Sequence, residues 1–182
     1  RAADIDRTEE YPWDNVRALT KEGFMGMTIP EAYGGPGLNY LDAVLVIEEM
    51  AKVCGVTGRI VVEGNMGAIG AIIKYGSEAQ KKLAAGLVLA GDKPAICITE
   101  PDAGSDPGAM RTRAELDGDE WVLNGVKTWI SNGGIADVHV VVAVVDPELR
   151  SRGHASFVVP PGTAGLSQGQ KFSKHGIRAS HT

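Results

Sequence analysis

Hydrophobic residues recur every three or four positions through the first half of the chain, which is the spacing of amphipathic helices. Asn39 is suited to cap one of these helices, and Ser77 with Gln80 forms a capping box at the start of another. Because each helix buries its apolar stripe most readily against the others, the pattern predicts a bundle of four helices. Their approximate limits are 12–24, 39–54, 60–75 and 77–91.

The third predicted helix contains three glycines, Gly64, Gly67 and Gly70, which lower its helical propensity. A spacing of three residues would place them along one face of the helix, where another backbone or a ligand can approach closely. We therefore predict one central helix from Ile60 to Tyr75 that carries an open glycine face.

The pattern changes at Pro94, where apolar and polar residues begin to alternate and valine and threonine become frequent. Asp117-Gly118 and Asn124-Gly125 are tight-hairpin signals, so neighbouring strands are expected to be antiparallel. The predicted fold class is therefore α+β, with a helical bundle in residues 1–93 and an antiparallel β-sheet or barrel in residues 94–182. The strand candidates are 95–99, 112–116, 120–123, 126–131, 138–145 and 156–159.

Composition excludes several classes of protein. The 182 residues are 43% hydrophobic with a mean hydropathy of −0.05, which is typical of a soluble globular protein. No uninterrupted apolar run reaches the ~18 residues of a membrane-spanning helix, so no membrane insertion is expected. Cys54 and Cys97 lie in apolar stretches without the spacing of metal ligands, which favours reduced, packed thiols and no metal site.

The beginning of the chain shows neither a native start nor a leader sequence. Arg1 is not an initiating residue, and no basic segment followed by an apolar one comes after it. We therefore expect a cytoplasmic protein that lacks its ends, or a protein of the mitochondrial matrix if the source is a eukaryote.

Charge is unevenly distributed along the chain, whose net charge is −5. Residues 147–182 contain five basic residues and one acid, a balance of +4, so residues 1–146 carry −9. A local anionic ligand suits the basic segment, whereas general nucleic-acid binding does not suit the acidic remainder. The alternative interpretation is a solvated basic surface without a ligand.

The strand that ends at Thr99 is followed by a segment that can donate hydrogen bonds. Ala103, Gly104 and Ser105 would present a hydroxyl and unencumbered backbone N–H groups at the rim of a sheet. Such donors suit a planar heterocycle with carbonyl and imine acceptors that gains negative charge during a reaction. Asp102 and the other acids nearby would repel a phosphate. The alternative is a structural turn with capped carboxylates.

A second candidate lies at Trp129 and Ser131, which alternate on a predicted strand and would point to the same face. An indole beside a hydroxyl can cover a flat ring and also reach its polar edge. The alternative is that Trp129 is an ordinary core residue.

Taken together and in order, these stretches resemble the acyl-CoA dehydrogenase family. The resemblance covers nearly the whole chain, and the combination of motifs is far more specific than any one of them. The matching stretches are ITEPDAGSD at 98–106, KTWISNG at 127–133, IPEAYGG at 29–35, EGN at 63–65 and KHGIR at 174–178.

The resemblance implies that residues 94–182 bind FAD and an acyl-CoA thioester. Thr99 would donate to the carbonyl edge of the flavin, and the segment around Trp129 would lie against the ring. The implied cofactor-binding residues are Ile96, Cys97, Ile98, Thr99, Gly104, Ser105, Trp129, Ile130 and Ser131. The implied substrate-binding residues are Ser105, Ser151 and Arg152, the last two near the phosphates of coenzyme A.

The reaction implied by the family introduces an α,β double bond into the acyl group. A carboxylate base removes the α-proton, and the β-hydride passes to N5 of the flavin. The resemblance also implies an electron-transferring flavoprotein as electron acceptor and a homo-oligomer, a tetramer or dimer. Related activities are those of an acyl-CoA oxidase or a desulfinase, and a non-catalytic CoA-binding or structural module remains the alternative of a different class.

The family's catalytic glutamate is expected in a C-terminal helical domain, after Thr182, so no residue of this chain is assigned as catalytic. Glu100 lies beside Pro101 without an evident route to the substrate. Glu63 has two interpretations, an acid at the far end of an acyl pocket or a structural acid. Four positions depart from the frequent residues of the family, namely Ile96 for an aromatic, Asp102 for glycine, Ser131 for threonine and His181 for an acid.

Overall fold

A computed structural model describes all residues from Arg1 to Thr182, with six helices followed by five strands. All of the helices precede Lys93 and all of the strands follow Pro94, as the change of sequence pattern predicts. The helices are α1 (Ala2–Thr8), α2 (Trp13–Lys21), α3 (Tyr40–Val53), α4 (Gly55–Asn65), α5 (Ala68–Tyr75) and α6 (Glu78–Leu89).

Both predicted helix caps are confirmed. The Asn39 side chain accepts hydrogen bonds from the N–H groups of Leu41 and Asp42, and the Asp42 carboxylate accepts the N–H of Asn39 at 3.0 Å. Ser77 and Gln80 exchange the equivalent pair of bonds at the start of α6. Each pair satisfies N–H groups that the first helical turn leaves without partners.

The prediction of one helix from Ile60 to Tyr75 is wrong, because the helix is interrupted at Met66 and Gly67. Gly67 has φ +64°, a left-handed conformation that separates α4 from α5. A Cβ at Gly64 would meet the side chain of Met25, whereas one at Gly70 would meet the hydroxyl of Tyr40. The glycines therefore approach different neighbours and do not form one open face.

The same region is apolar enough to resemble a membrane span. Residues Gly55–Tyr75 are long and apolar enough to cross a membrane, although the sequence analysis predicts no segment of this kind. The most apolar window of this segment is 61% buried inside the protein. It therefore has the burial of a core element of a folded domain.

The strands form one mixed sheet, so the prediction of a purely antiparallel sheet or barrel needs correction. β1 and β2 both pair in parallel with the same edge of β4, β1 near its start and β2 at its end, while β5 pairs antiparallel with the other edge. The predicted hairpin at Asp117-Gly118 is confirmed by the antiparallel pairing of β2 with β3. The strands are β1 (Ala95–Cys97), β2 (Arg113–Asp117), β3 (Glu120–Asn124), β4 (His139–Val144) and β5 (His154–Val159).

No strand forms at residues 126–131, where the sequence pattern predicts one. Trp129 and Asn132 both adopt positive φ values, +59° and +64°, which are incompatible with an extended strand. The Asn124-Gly125 signal therefore ends β3 without opening a second hairpin.

The helical and β parts share their cores. Val138 and Val140 pack with Ile29, Ile69 and Val88 in one buried cluster. In a second cluster Ala179 packs among residues of α1, α2 and α4. Arg178 next to it donates to the backbone carbonyl of Asp6 in α1. These contacts hold the helices against the β part, since each fully buried aliphatic side chain contributes about 1.5–3 kcal/mol.

Candidate functional site

The two stretches that the sequence analysis singled out lie side by side. The N–H of Thr128 donates to the carbonyl of Thr99 at 2.9 Å, and Lys127 Nζ donates to the carbonyl of Ile98 at 2.9 Å. The segment 127–131 thus runs along the end of β1, although it is not a strand. A common rim therefore carries both sets of predicted flavin residues.

The Trp129 indole is 58% exposed at this rim, so it is not a core residue. One face of it packs on Phe172, with ring centroids 4.3 Å apart and ring planes inclined by 33°. Offset aromatic contacts of this kind restrict the orientation of the indole. The sequence analysis missed Phe172, which has no signal of its own because its role depends on a contact with a distant residue.

The strand β1 divides its residues between the rim and the core. Ile96 and Ile98 expose their side chains on one face, whereas Cys97 between them is buried. Burial raises the pKa of the Cys97 thiol to about 11, so the thiol stays protonated at neutral pH. Of these three predicted flavin residues, Cys97 can therefore offer only its backbone to a ligand.

The loop after Thr99 closes as a small turn. The N–H of Glu100 donates to the carbonyl of Ala103, and the N–H of Ala103 returns a bond to the carbonyl of Glu100, at 3.1 and 3.2 Å. Gly104 and Ser105 follow it and are exposed, and a Cβ at Gly104 would meet no atom within 4 Å. The loop therefore offers open backbone and a hydroxyl at the rim, as the sequence predicts.

These features fit the isoalloxazine ring that the sequence resemblance implies. The rim combines uncovered apolar side chains with hydroxyl and N–H donors, as a flat ring with a polar edge requires. Two clefts of 480 and 430 Å³ lie elsewhere in the molecule and are lined by none of the predicted site residues.

Glu100 is buried below the rim and forms a dense set of hydrogen bonds. Its carboxylate accepts from Lys127 Nζ at 2.8 Å, from the N–H groups of Arg111 and Thr112 at 2.6 and 2.9 Å, and from the Thr112 hydroxyl. Burial acts to raise the pKa of Glu100, but these hydrogen bonds outweigh it and lower the pKa to about 2. An acid so strongly held is a poor proton acceptor, and its role is to fasten three segments together.

Ser131 contacts a residue that the sequence analysis missed. Arg59, on α4, donates from Nη2 to Ser131 Oγ at 3.2 Å and from Nε to Glu63 Oε1 at 2.7 Å. The Ser131 hydroxyl accepts the arginine bond and keeps its own proton available for donation. Arg59 lies between two apolar helical positions in the sequence, and only the fold shows that it reaches the rim.

A second group of polar residues lies where the helical and β parts meet. Lys93 is fully buried, with its Nζ 4.3 Å from the ring centroid of Trp13 and 5.3 Å from that of Tyr11. Burial lowers the pKa of Lys93, while the charges of Asp92 and Glu63 act in the opposite direction. Glu63 is thus attracted by a buried cation, Lys93, and bonded to a partly exposed one, Arg59.

The predicted substrate residues lie on neighbouring surface segments. Ser151 and Arg152 are exposed in a 3-10 segment, Pro147–Gly153, which contains a left-handed residue at Arg150. This segment packs against the short turn Pro107–Ala109, which follows Ser105 after one residue. The fold thus brings the segments that carry the three residues close to one another. Ile130 is half-buried beside Trp129.

Comparisons with known proteins agree with this architecture. Residues 1–92 match the family model of the acyl-CoA dehydrogenase N-terminal domain, and residues 95–182 match that of the middle domain. The chain is 57% identical over 178 residues to a 3-sulfinopropanoyl-CoA desulfinase of Paraburkholderia xenovorans, covering 97% of this chain and 46% of that protein.

Two further similarities extend the comparison to dehydrogenases. The chain is 41% identical over 182 residues to the mitochondrial short-chain specific acyl-CoA dehydrogenase of Sus scrofa, covering 100% of this chain and 44% of that protein. A glutaryl-coenzyme A dehydrogenase solved with glutaryl-CoA superposes with a TM-score of 0.92 at 39% identity, covering 99% and 47% of the two chains. The chain thus spans about half the length of the relatives it matches.

Proposed function

The chain belongs to the acyl-CoA dehydrogenase family, and on that premise we propose that the full-length protein is an FAD-dependent enzyme acting on an acyl-CoA thioester. The observation that carries the proposal is the shared rim, where Thr99 meets the segment of Trp129 and Ser131. Within the enzyme, residues 1–93 would form the N-terminal helical domain and residues 94–182 the flavin- and substrate-binding domain.

The rim residues would hold the cofactor through uncharged contacts. The hydroxyls of Thr99 and Ser131 and the free N–H groups of the loop at Gly104 and Ser105 would donate to the polar edge of the flavin. Trp129, with Ile96 and Ile98, would exclude water from its face. When bound, FAD would supply the electron-accepting group of a dehydrogenation, whereas desulfination involves no net electron transfer. Neutral donors stabilise the negative charge that builds on the ring, and loss of one good donor typically costs ~2.7–4 kcal/mol.

Arg59 favours a substrate whose acyl group ends in an anion. Its guanidinium is bound to Glu63 and Ser131 on two sides, but its side chain is still 42% exposed and faces the rim. Two of the similar proteins are named for such thioesters, since a sulfinopropanoyl group ends in a sulfinate and a glutaryl group in a carboxylate. A guanidinium binds either anion through two parallel N–H groups.

The proposed reaction is removal of the sulfinate from 3-sulfinopropanoyl-CoA. In the balanced reaction, water supplies a proton to the carbon and hydroxide to the sulfur as the carbon–sulfur bond breaks, giving propanoyl-CoA and hydrogen sulfite. The second candidate is α,β-dehydrogenation with an electron-transferring flavoprotein as acceptor, which the 41% identity to a short-chain dehydrogenase favours. A homo-oligomer and a cytoplasmic location complete the proposal.

The test uses the full-length protein loaded with FAD. We expect sulfite to be released from 3-sulfinopropanoyl-CoA without an added electron acceptor. Reduction of an acceptor by butanoyl-CoA, with no sulfite from the sulfinate substrate, would instead identify a dehydrogenase or, with oxygen as acceptor, an oxidase. Protein that purifies colourless, takes up no FAD and still binds coenzyme A would identify the non-catalytic module.

The rim itself is tested by Thr99→Val, which removes a hydroxyl and keeps the shape of the side chain. We expect weaker FAD retention and a lower flavin reduction potential, measured by equilibrium dialysis and by spectroelectrochemistry. Thr163→Val is a matched control, since its hydroxyl bonds the carbonyl of Pro160 on an exposed loop. Unchanged affinity and potential in Thr99→Val would remove Thr99 from the flavin site.

A further inference from the structure

We infer that Glu63 is a positioning residue, which fixes the Arg59 guanidinium toward the rim and thereby sets the preference for acyl groups that end in an anion. This inference rests on the proposed function of Arg59. Glu63 itself would touch neither the substrate nor the flavin.

The contact between the two side chains defines the orientation of the guanidinium. Glu63 is one helical turn after Arg59 on α4, and its side chain is only 6% exposed. Its Oε1 accepts the Nε–H of Arg59 at 2.7 Å, which leaves the N–H groups of the two terminal nitrogens available for other acceptors. One of these, Nη2, donates to Ser131 Oγ at 3.2 Å. A long side chain held at both the stem and the tip loses little further freedom when it binds an anion.

Other charged groups act on Glu63 besides Arg59. Lys93 is fully buried on the core side, and electrostatic attraction links it to Glu63. The buried Tyr11 hydroxyl also lies within the field of Glu63, because burial and the charges of Glu63 and Asp92 raise its pKa. The attraction of this buried cation opposes movement of Glu63 with the arginine toward solvent.

The alternative is that Glu63 only stabilises α4. An i, i+4 pair between a glutamate and an arginine on a helix adds a few tenths of a kcal/mol and needs no further partner. The contact from Arg59 to Ser131 is separated by 72 positions in sequence and is not required for such a role. A purely structural pair would affect all substrates equally, which gives the two interpretations different kinetic outcomes.

The experiment compares Glu63→Gln, Glu63→Asp and Arg59→Gln in the FAD-loaded full-length protein. For Glu63→Gln we expect KM for 3-sulfinopropanoyl-CoA to rise about tenfold while kcat stays within about twofold, since the charged acceptor that orients Arg59 is replaced by a weaker, neutral one. The dissociation constant of butanoyl-CoA, which has no terminal anion, should not change when it is measured by calorimetry. Glu63→Asp keeps the charge and should recover part of the loss.

The control is Glu49→Gln, because Glu49 forms an exposed pair with Lys52 on α3. It should leave both constants unchanged.

The outcomes separate the inference from the proposed function. If Arg59→Gln impairs the sulfinate substrate but Glu63→Gln does not, the inference about Glu63 is wrong and the function of Arg59 stands. If Arg59→Gln has no effect on the sulfinate substrate, the anion-binding role itself fails. Equal losses for the sulfinate substrate and for butanoyl-CoA in Glu63→Gln, with a lower melting temperature, would make Glu63 a structural residue.

Discussion

Two buried glutamates, one under the rim and one on α4, show how differently a fold can use the same side chain. Glu100 and Glu63 are each 6% exposed and each paired with a basic residue, at 2.8 and 2.7 Å. Glu100 accepts bonds from Lys127, from two backbone N–H groups and from a hydroxyl. Glu63 accepts one bond, and its Oε2 makes none with the protein.

The basic partners of the two acids differ in their exposure to solvent. The Lys127 side chain is 10% exposed and bonds both Glu100 and a backbone carbonyl, whereas the Arg59 side chain is 42% exposed. A carboxylate whose two oxygens are both hydrogen-bonded and whose basic partner is buried joins parts of the structure. A carboxylate with one oxygen left without a partner and with an exposed basic partner can orient that partner toward a ligand. The number of hydrogen bonds that each carboxylate accepts therefore distinguishes the roles of these two acids, whereas their burial is the same.

The largest expected effect comes from Glu100→Gln. This substitution leaves the buried ammonium of Lys127 without its counter-charge and places an amide against two N–H donors. We expect a loss of about 3–5 kcal/mol in the free energy of unfolding. Urea denaturation at pH 7 measures this loss. A loss below about 1 kcal/mol would show that the carboxylate does not fasten the rim.

Lowering the pH is expected to have the next largest effect on stability. The folded-state pKa of Glu100 is lowered from 4.5 to about 2, so its contribution is fully present above pH 4.5 and is lost as the pH falls toward 2. The shift corresponds to about 3 kcal/mol. Stability measured across this pH range should fall less steeply in Glu100→Gln than in the unmodified protein. Equal slopes for the two proteins would contradict the low pKa.

A smaller effect is expected from Glu63→Gln on stability. Glu63 makes one hydrogen bond, the partner guanidinium remains solvated, and Asp92 stays as the stronger counter-charge of Lys93, so we expect a change within about 1 kcal/mol. Urea denaturation under the conditions used for Glu100→Gln allows a direct comparison. A loss as large as that of Glu100→Gln would remove the distinction between the two acids.

The smallest effect is expected from Glu49→Gln. Its pair with Lys52 is exposed on both sides, so water screens the attraction and its loss should change the stability very little. This variant provides the baseline for an acid that is neither buried nor part of the rim, and differential scanning calorimetry suffices to measure it. A loss larger than that of Glu63→Gln would show that burial has no bearing on these costs.

The parts of the fold that the sequence predicts depend on neighbouring residues. Asn39 with Asp42, Ser77 with Gln80 and the Asp117-Gly118 turn all act within four positions of each other, so their patterns are visible in the sequence. The predicted strand at 126–131 fails because Trp129 is held in a left-handed conformation against Phe172. No local pattern reports such a contact.

In the candidate site too, the sequence reveals groups of neighbouring residues but not contacts between residues that are distant in sequence. The rim at Thr99 and Trp129 was found because its residues form two compact motifs, whereas Arg59 was missed because its contact with Ser131 spans 72 positions. Cys97 belongs to the same predicted flavin set, but its side chain is buried, since β1 alternates its residues between the rim and the core. Residues that share a motif therefore need not share a surface.

The contact of Arg178 and Ala179 with the first helices affects how the protein reaches its native state. Arg178 bonds the carbonyl of Asp6 across 172 positions, and Ala179 fills the core formed by α1, α2 and α4. A polypeptide emerging from the ribosome makes its first helices long before this alanine is synthesised. The core of the helical half therefore stays incomplete until Ala179 has been synthesised. Contacts between residues so far apart in sequence slow the final step of folding.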